Sequence, residues 1–93
     1  MGIALLVLIA GFLLGVSRLE WIIIILVVGL VLAAEALNSA IEKVVDLASP
    51  GQHELAKRAK DLGAGAVLIT AITAALAGLL IFVPRLLACI TVP

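Results

Sequence analysis

The chain has 93 residues, of which 66% are hydrophobic and 13% charged, and its formal net charge at pH 7 is zero. Soluble domains are about half apolar and about a quarter charged, and short chains bury the smallest share of their surface. A mean hydropathy of +1.43 therefore excludes a water-soluble globule and points to lipid as the solvent, while the balanced charge excludes a basic surface for nucleic acid. The single cysteine, Cys89, has no internal disulfide partner and reads as an apolar filler, and Phe12, Trp21 and Phe82 are the whole aromatic set.

Residues 3–16 are apolar but short, since a helix needs about 17–25 residues to cross a bilayer core. They lack the positive start and the Ala-x-Ala cleavage site of a signal peptide, so they read as a short span. The SRLE stretch at residues 17–20 predicts a tight turn. Residues 21–37 are apolar apart from Glu35 and form the second run, with Trp21 as an interfacial anchor at its outer end. Residues 48–61 read as a long polar connection punctuated by Pro50 and Gly51. They carry Lys57, Arg58 and Lys60, with Lys43 just before. The excess of basic residues places this connection in the cytoplasm and SRLE and the C-terminal RLLACITVP outside; Arg85 weighs slightly against that orientation. Residues 62–83 form the third run. Its small residues, among them Gly63, Ala66, Ala71 and Ala75, permit close helix approach, and Thr70 and Thr73 can bond back to the helix or across to another one. The expectation is an all-α integral membrane protein with three transmembrane helices, spanning about residues 2–16, 21–47 and 62–84 of one domain, 1–93.

The stretch EALNSAIEKVVD raises a sharper question, because it follows the second run with neither Gly nor Pro to announce a loop. With Glu35 at zero and about 100° per residue, Asn38, Glu42 and Asp46 fall near −60°, −20° and +20° on the helical wheel. The four polar residues share one stripe, so the helix continues into the cytoplasm and carries an acidic ladder with it. Glu35 and Glu42 are then roughly 10 Å apart along the axis. An ionisable residue at the membrane boundary marks a function and faces protein or water; the bland alternative is a glutamate solvated among the headgroups. Residues 53–64 read helical, with His53, Lys57, Lys60 and Ala64 on one face. A basic cluster beside a membrane helix serves topology and headgroup contact. Beside an acidic ladder it also suits phosphoryl transfer, in which carboxylates hold Mg²⁺ and lysines meet phosphates. There is no GxxxxGK[ST] loop, so a nucleotide site would be built another way.

EALNSAIEKVVDL followed by HELAKRAKDLGAGAVLI resembles the small integral-membrane lipid kinases of bacteria, the diacylglycerol kinase and undecaprenol kinase family. SRLEW and the IFVP ending of the third run look closer to the undecaprenol kinase branch. The resemblance implies a multi-pass protein of the bacterial cytoplasmic membrane, assembled as a homotrimer with three transmembrane helices per protomer. It implies transfer of the ATP γ-phosphate to a lipid alcohol, with Mg²⁺, at the cytoplasmic interface. It also implies roles. Glu35 matches the catalytic base, and Glu42 matches a metal ligand that also shapes the nucleotide site. Asn38 and Asp46 match supporting positions, and His53, Lys60 and Asp61 match positions that contact ATP. The depths agree with those roles, because a base must reach a lipid headgroup and a metal must reach a soluble nucleotide.

The chain departs from the family pattern at its start. Relatives begin with a basic amphipathic helix and an acidic residue that shares the metal, and this sequence opens inside what would be the first span. The missing part would account for the short first run, and weak or no kinase activity is expected of these 93 residues alone. Ala64 also stands where the diacylglycerol branch tends to have Ser. The competing expectation is a truncated or degenerate non-catalytic membrane homologue with an assembly role. A channel or proton-coupled transporter using Glu35 fits less well, because its charge should lie near the bilayer midplane.

Overall fold

The computed structural model describes residues 2–51 and 53–91. Among these residues it is all-α: α1 is Gly2–Leu14, α2 is Arg18–Ala48 and α3 is Glu54–Thr91. The expectations about the start at Met1, about Gln52 in the connection and about Val92 and Pro93 in the outer tail lie outside the described residues. The chain divides into two compact units. One takes the residues up to Val28 and those from Thr73 onward, and the other is Gly29–Ile72.

The first unit shows why α1 stops where it does. Gly15 adopts a positive φ of 65°, a conformation that L side chains resist. The Val16 amide donates to the Gly11 carbonyl at 3.2 Å and the Gly15 amide to the Phe12 carbonyl at 3.4 Å. These two bonds make a Schellman C-cap. The next helix starts at once. The Ser17 amide donates to Glu20 Oε1 at 2.9 Å and the Glu20 amide to Ser17 Oγ at 3.2 Å, which is a reciprocal capping box. SRLE is thus the cap and first turn of α2, and the reversal lies one step earlier, at Gly15 and Val16. Val16, Ile24 and Ile81 form the buried core of this unit, with Val7, Trp21, Val28 and Phe82 packed against it. Trp21 lies over Gly11, so the expected interfacial anchor also packs inward.

The long connection expected at residues 48–61 is shorter in the structure. Helix α2 ends at Ala48 and α3 begins at Glu54. The helical reading of residues 53–64 holds, and that helix continues unbroken through the third apolar run. It also passes Pro84 and extends to Thr91. Pro84 removes one i→i−4 hydrogen bond, a loss that membrane helices tolerate when neighbours re-satisfy the freed carbonyl. The helix thus runs about two turns beyond residue 84, where the third span is expected to end. Thr70 Oγ1 donates back to the Val67 carbonyl at 2.9 Å, the first of the two options open to it.

Helices α2 and α3 are long and apolar enough to cross a membrane by length and composition, whereas Gly2–Leu14 is shorter. Burial separates them from the core helices of a soluble protein. Only 6% of the most apolar window of each is buried, and Leu26, Leu30, Leu68, Ile69 and Leu79 are all at least 58% exposed. At about 1.5 Å per residue α2 is roughly 46 Å long, against a hydrocarbon core of about 30 Å. That length lets its apolar part span while its polar stripe projects beyond.

Candidate active site

The second unit, Gly29–Ile72, holds all the residues singled out in the polar stripe and the basic segment. Glu35, Asn38, Glu42 and Asp46 lie on one uninterrupted helix, as the missing Gly and Pro implied. Glu35 is exposed and its carboxylate meets no side-chain partner among the described residues. Asn38 is half-buried, and its Nδ2 donates to Glu42 Oε1 at 3.4 Å. Its Oδ1 is buried with no hydrogen-bond partner among the described residues. Such an atom costs about 1–3 kcal/mol. Turning the amide over would not help, because the oxygen would then face the Glu42 carboxylate.

The acidic ladder meets the basic segment at its lower end. Lys60 Nζ donates to Asp46 Oδ1 at 2.5 Å. This bond, more than the attraction of the Asp46 and Glu42 charges, raises the Lys60 pKa above its usual 10.5, and desolvation opposes the shift. Lys60 lies before the third apolar run and stays charged throughout the physiological range. The side chains of the pair are 41% and 65% exposed, so solvent screens their attraction and a competing anion has access to the lysine.

His53 has a structural task that spacing alone did not suggest. Its Nδ1 accepts a hydrogen bond from the Leu55 amide at 3.1 Å, which caps an otherwise unpaired donor at the start of α3. The accepting Nδ1 leaves Nε2 as the N–H that can reach a ligand. Arg58 pairs with Glu54 at 3.1 Å one turn away, an exposed pair of small energetic weight. An open groove of about 690 Å³ runs along this end, lined by Asp46, Ser49, His53, Lys57, Lys60 and Asp61 among others.

The structure thus gathers Asp46, His53, Lys60 and Asp61 around one groove. Asn38 and Glu42 stand one to two turns along α2, joined to each other, and Glu35 stands apart nearer the apolar run. Lys57 lines the groove without having been singled out as a ligand, although its position three residues before Lys60 puts it on the same face. Gly63 was read only as a small packing residue. A Cβ there would collide with Asn38 Oδ1 and come within 3.3 Å of its Cγ.

Among the described residues no group of three His, Cys, Asp or Glu side chains comes together as an all-protein metal cage. Mg²⁺ rarely uses one; it is bound through one or two carboxylates, waters and substrate phosphates. Glu42, exposed and already oriented by Asn38, suits that mode.

Residues 1–82 match the family described as prokaryotic diacylglycerol kinase. The chain is 51% identical over 80 residues to an undecaprenol kinase of Bacillus subtilis, a stretch covering 86% of this chain and 65% of that relative. It is 50% identical over 58 residues to a diacylglycerol kinase of Haemophilus influenzae, covering 62% of this chain and 49% of the relative. It is 49% identical over 61 residues to that of Escherichia coli K12, covering 66% and 50%. The chain therefore spans between half and two thirds of the length of these curated relatives. No solved structure matches it.

Proposed function

This chain belongs to the prokaryotic diacylglycerol kinase family, and on that premise we propose that it transfers the γ-phosphate of ATP to the hydroxyl of a membrane lipid, undecaprenol or diacylglycerol. It is a bacterial membrane protein, and the proposal places it in the cytoplasmic membrane as a multi-pass homotrimer. The observation that carries the reading is the meeting of Asp46 and Lys60 at 2.5 Å. There a ladder of carboxylates, descending from the apolar run, reaches a groove lined by lysines and a histidine.

In this reading Lys60 turns from Asp46 to the phosphates of ATP, Lys57 meets them from its exposed place on the same groove, and His53 adds its Nε2–H. Asp61 closes one wall of the groove and Asp46 holds Lys60 in place until the nucleotide arrives. Glu42, steadied by Asn38, is the carboxylate that would hold Mg²⁺; the ion, when bound, neutralises charge on the phosphates. Glu35 sits where a lipid hydroxyl can reach it. Its carboxylate takes the hydroxyl proton as the lipid oxygen bonds to the γ-phosphorus and the bond to the β-phosphate oxygen breaks. The products are the lipid phosphate and ADP, and the proton passes from Glu35 to water. The sparse burial of α2 and α3 supports an assembly in which other copies and lipid cover these helices, and further metal and nucleotide contacts would then come from another copy.

The test is transfer from γ-labelled ATP, with Mg²⁺, to undecaprenol and to diacylglycerol in mixed micelles. The chain is run beside a version extended by the N-terminal helix of its relatives. Transfer by either supports the reading, and the preferred lipid names the substrate. Transfer by neither sinks it and leaves the non-catalytic membrane homologue.

A further inference from the structure

We propose that Gly63 is a positioning residue for Glu42, acting through Asn38. The structure explains how a residue with no side chain can act on a carboxylate of another helix. Gly63 is buried and faces Asn38 across the seam between α2 and α3 within Gly29–Ile72. The space that a Cβ would fill at Gly63 is occupied by Asn38 Oδ1, with Asn38 Cγ at 3.3 Å and Ile41 Cδ1 at 3.7 Å from that point. The hydrogen on the Gly63 Cα that replaces the missing side chain therefore points at Oδ1. A Cα–H···O contact of this kind is weak, yet it is the partner the buried oxygen has, since no N–H or O–H reaches it among the described residues.

The amide is asymmetric, and that asymmetry makes the contact matter. With Oδ1 seated against Gly63, the NH₂ group must point along α2 toward Glu42 Oε1, 3.4 Å away. The seat in one helix thereby sets the direction of the donor in the other. A methyl group at residue 63 would take the place of Oδ1, push the Asn38 amide out of the seam and free the Glu42 carboxylate to rotate. Gly65, two residues on, has nothing within 4 Å of its own Cβ position, so the requirement belongs to residue 63 and not to small residues along α3 at large. What Glu42 does with its fixed orientation rests on the kinase reading; the positioning itself does not.

Asn38 is the only asparagine in the chain, so labelling with ¹⁵N-asparagine gives one side-chain NH₂ pair. In detergent micelles the wild-type pair is expected to resonate away from free-amide values and to exchange slowly with water. Glu42→Ala should move it without unfolding the helices. Gly63→Ala should collapse it to the shifts and fast exchange of a solvated amide, whereas Gly65→Ala should leave it in place. An unchanged pair in a folded Gly63→Ala chain overturns the proposal. If Gly63→Ala fails to fold, the double variant Asn38→Ala with Gly63→Ala decides. Thermal stability equal to that of Asn38→Ala alone upholds the link, and continued failure to fold shows that Gly63 serves packing alone. The consequence for the metal is read separately, by Mn²⁺ binding in the presence of ATP followed by electron paramagnetic resonance. Gly63→Ala should weaken it about 10-fold or more, the usual effect of losing a partner that orients a ligand. No binding by the wild type, with the Asn38 signature intact, would remove the metal role and leave the positioning standing.

Discussion

Arg85 reaches across 65 residues of sequence to Glu20, and its guanidinium Nε donates to Glu20 Oε1 at 2.9 Å while Nη1 donates to the Gly15 carbonyl at 3.2 Å. A second guanidinium nitrogen closes an ion pair with the same carboxylate oxygen. One side chain of α3 therefore ties together the end of α1, the reversal at Gly15 and the capping box that opens α2. Glu20 lies just before the second apolar run, and the Arg85 hydrogen bond, helped by the Ser17 amide, holds its pKa down from 4.5 to about 2.

A depressed carboxylate contributes stability that is present above its unfolded pKa and fades as pH falls through the folded value. Thermal unfolding followed by circular dichroism in detergent should show Glu20→Gln less stable than wild type at neutral pH. The gap should persist down to about pH 4.5 and close as pH approaches 2. A gap of constant size over that range would mean the pair is not what ties these elements together. Arg85→Met should reproduce the loss at neutral pH.

Sequence alone could not reveal this pair, because nothing local connects residues 20 and 85. The capping box was legible, since Ser-x-x-Glu before an apolar run is a helix-start signal; reading the same four residues as a turn placed the reversal one step late. The polar stripe was legible because its four members share one helix and a fixed period. His53 was read as a ligand position, and its capping bond to the Leu55 amide came from the geometry of the helix start, which spacing does not encode. Gly63 was legible as small but not as the seat of Asn38, a relation that depends on how α2 and α3 approach. The reach of α3 past Pro84 was not legible, because hydropathy marks the apolar run and not the helix that carries it, and a helix with apolar surroundings runs through proline.

The two glutamates of the stripe should fail in different ways. On the proposed role of Glu35 as base, Glu35→Gln keeps shape and removes the basic oxygen, so turnover of lipid should fall by about 10²–10⁴-fold with ATP binding and assembly unchanged. Glu42→Gln should instead raise the Mg²⁺ concentration needed for half-maximal rate. Steady-state assays over a Mg²⁺ series, with crosslinking to follow assembly, separate the outcomes. Loss of assembly in Glu35→Gln would make Glu35 a structural residue.

The Lys60–Asp46 bond predicts a further asymmetry. If Lys60 meets phosphate as proposed, Lys60→Gln should raise KM for ATP more than it lowers kcat. Asp46→Asn keeps the lysine but removes the acceptor that orients it across the groove, so its effect on KM should be smaller. Since both side chains are substantially exposed, ATP binding by wild type should weaken with added salt, and Lys60→Gln should flatten that dependence. Equal salt slopes in the two proteins would remove Lys60 from the phosphate contacts.

Gly11 and Trp21 offer a test that needs no substrate. A Cβ on Gly11 would stand 3.0 Å from Trp21 Cη2 and 3.4 Å from Cζ2 and Cζ3. For Gly11→Ala two terms of similar size oppose each other. Removing a glycine from a helix interior gains about 1 kcal/mol, and the ring must move a few tenths of an ångström. The net change should be within about 1 kcal/mol of zero. Gly11→Leu has no such balance: its branched side chain must evict the indole from the core around Val16 and Ile24, and overpacking of this kind costs about 1–3 kcal/mol. Trp21 is the only tryptophan, so its emission and its quenching by acrylamide report directly on the seat. Gly11→Ala should leave both nearly unchanged. Gly11→Leu should shift the emission and change quenching together with a fall in thermal stability. A Gly11→Leu chain with wild-type fluorescence and stability would show that Trp21 does not rest on Gly11 in the folded protein.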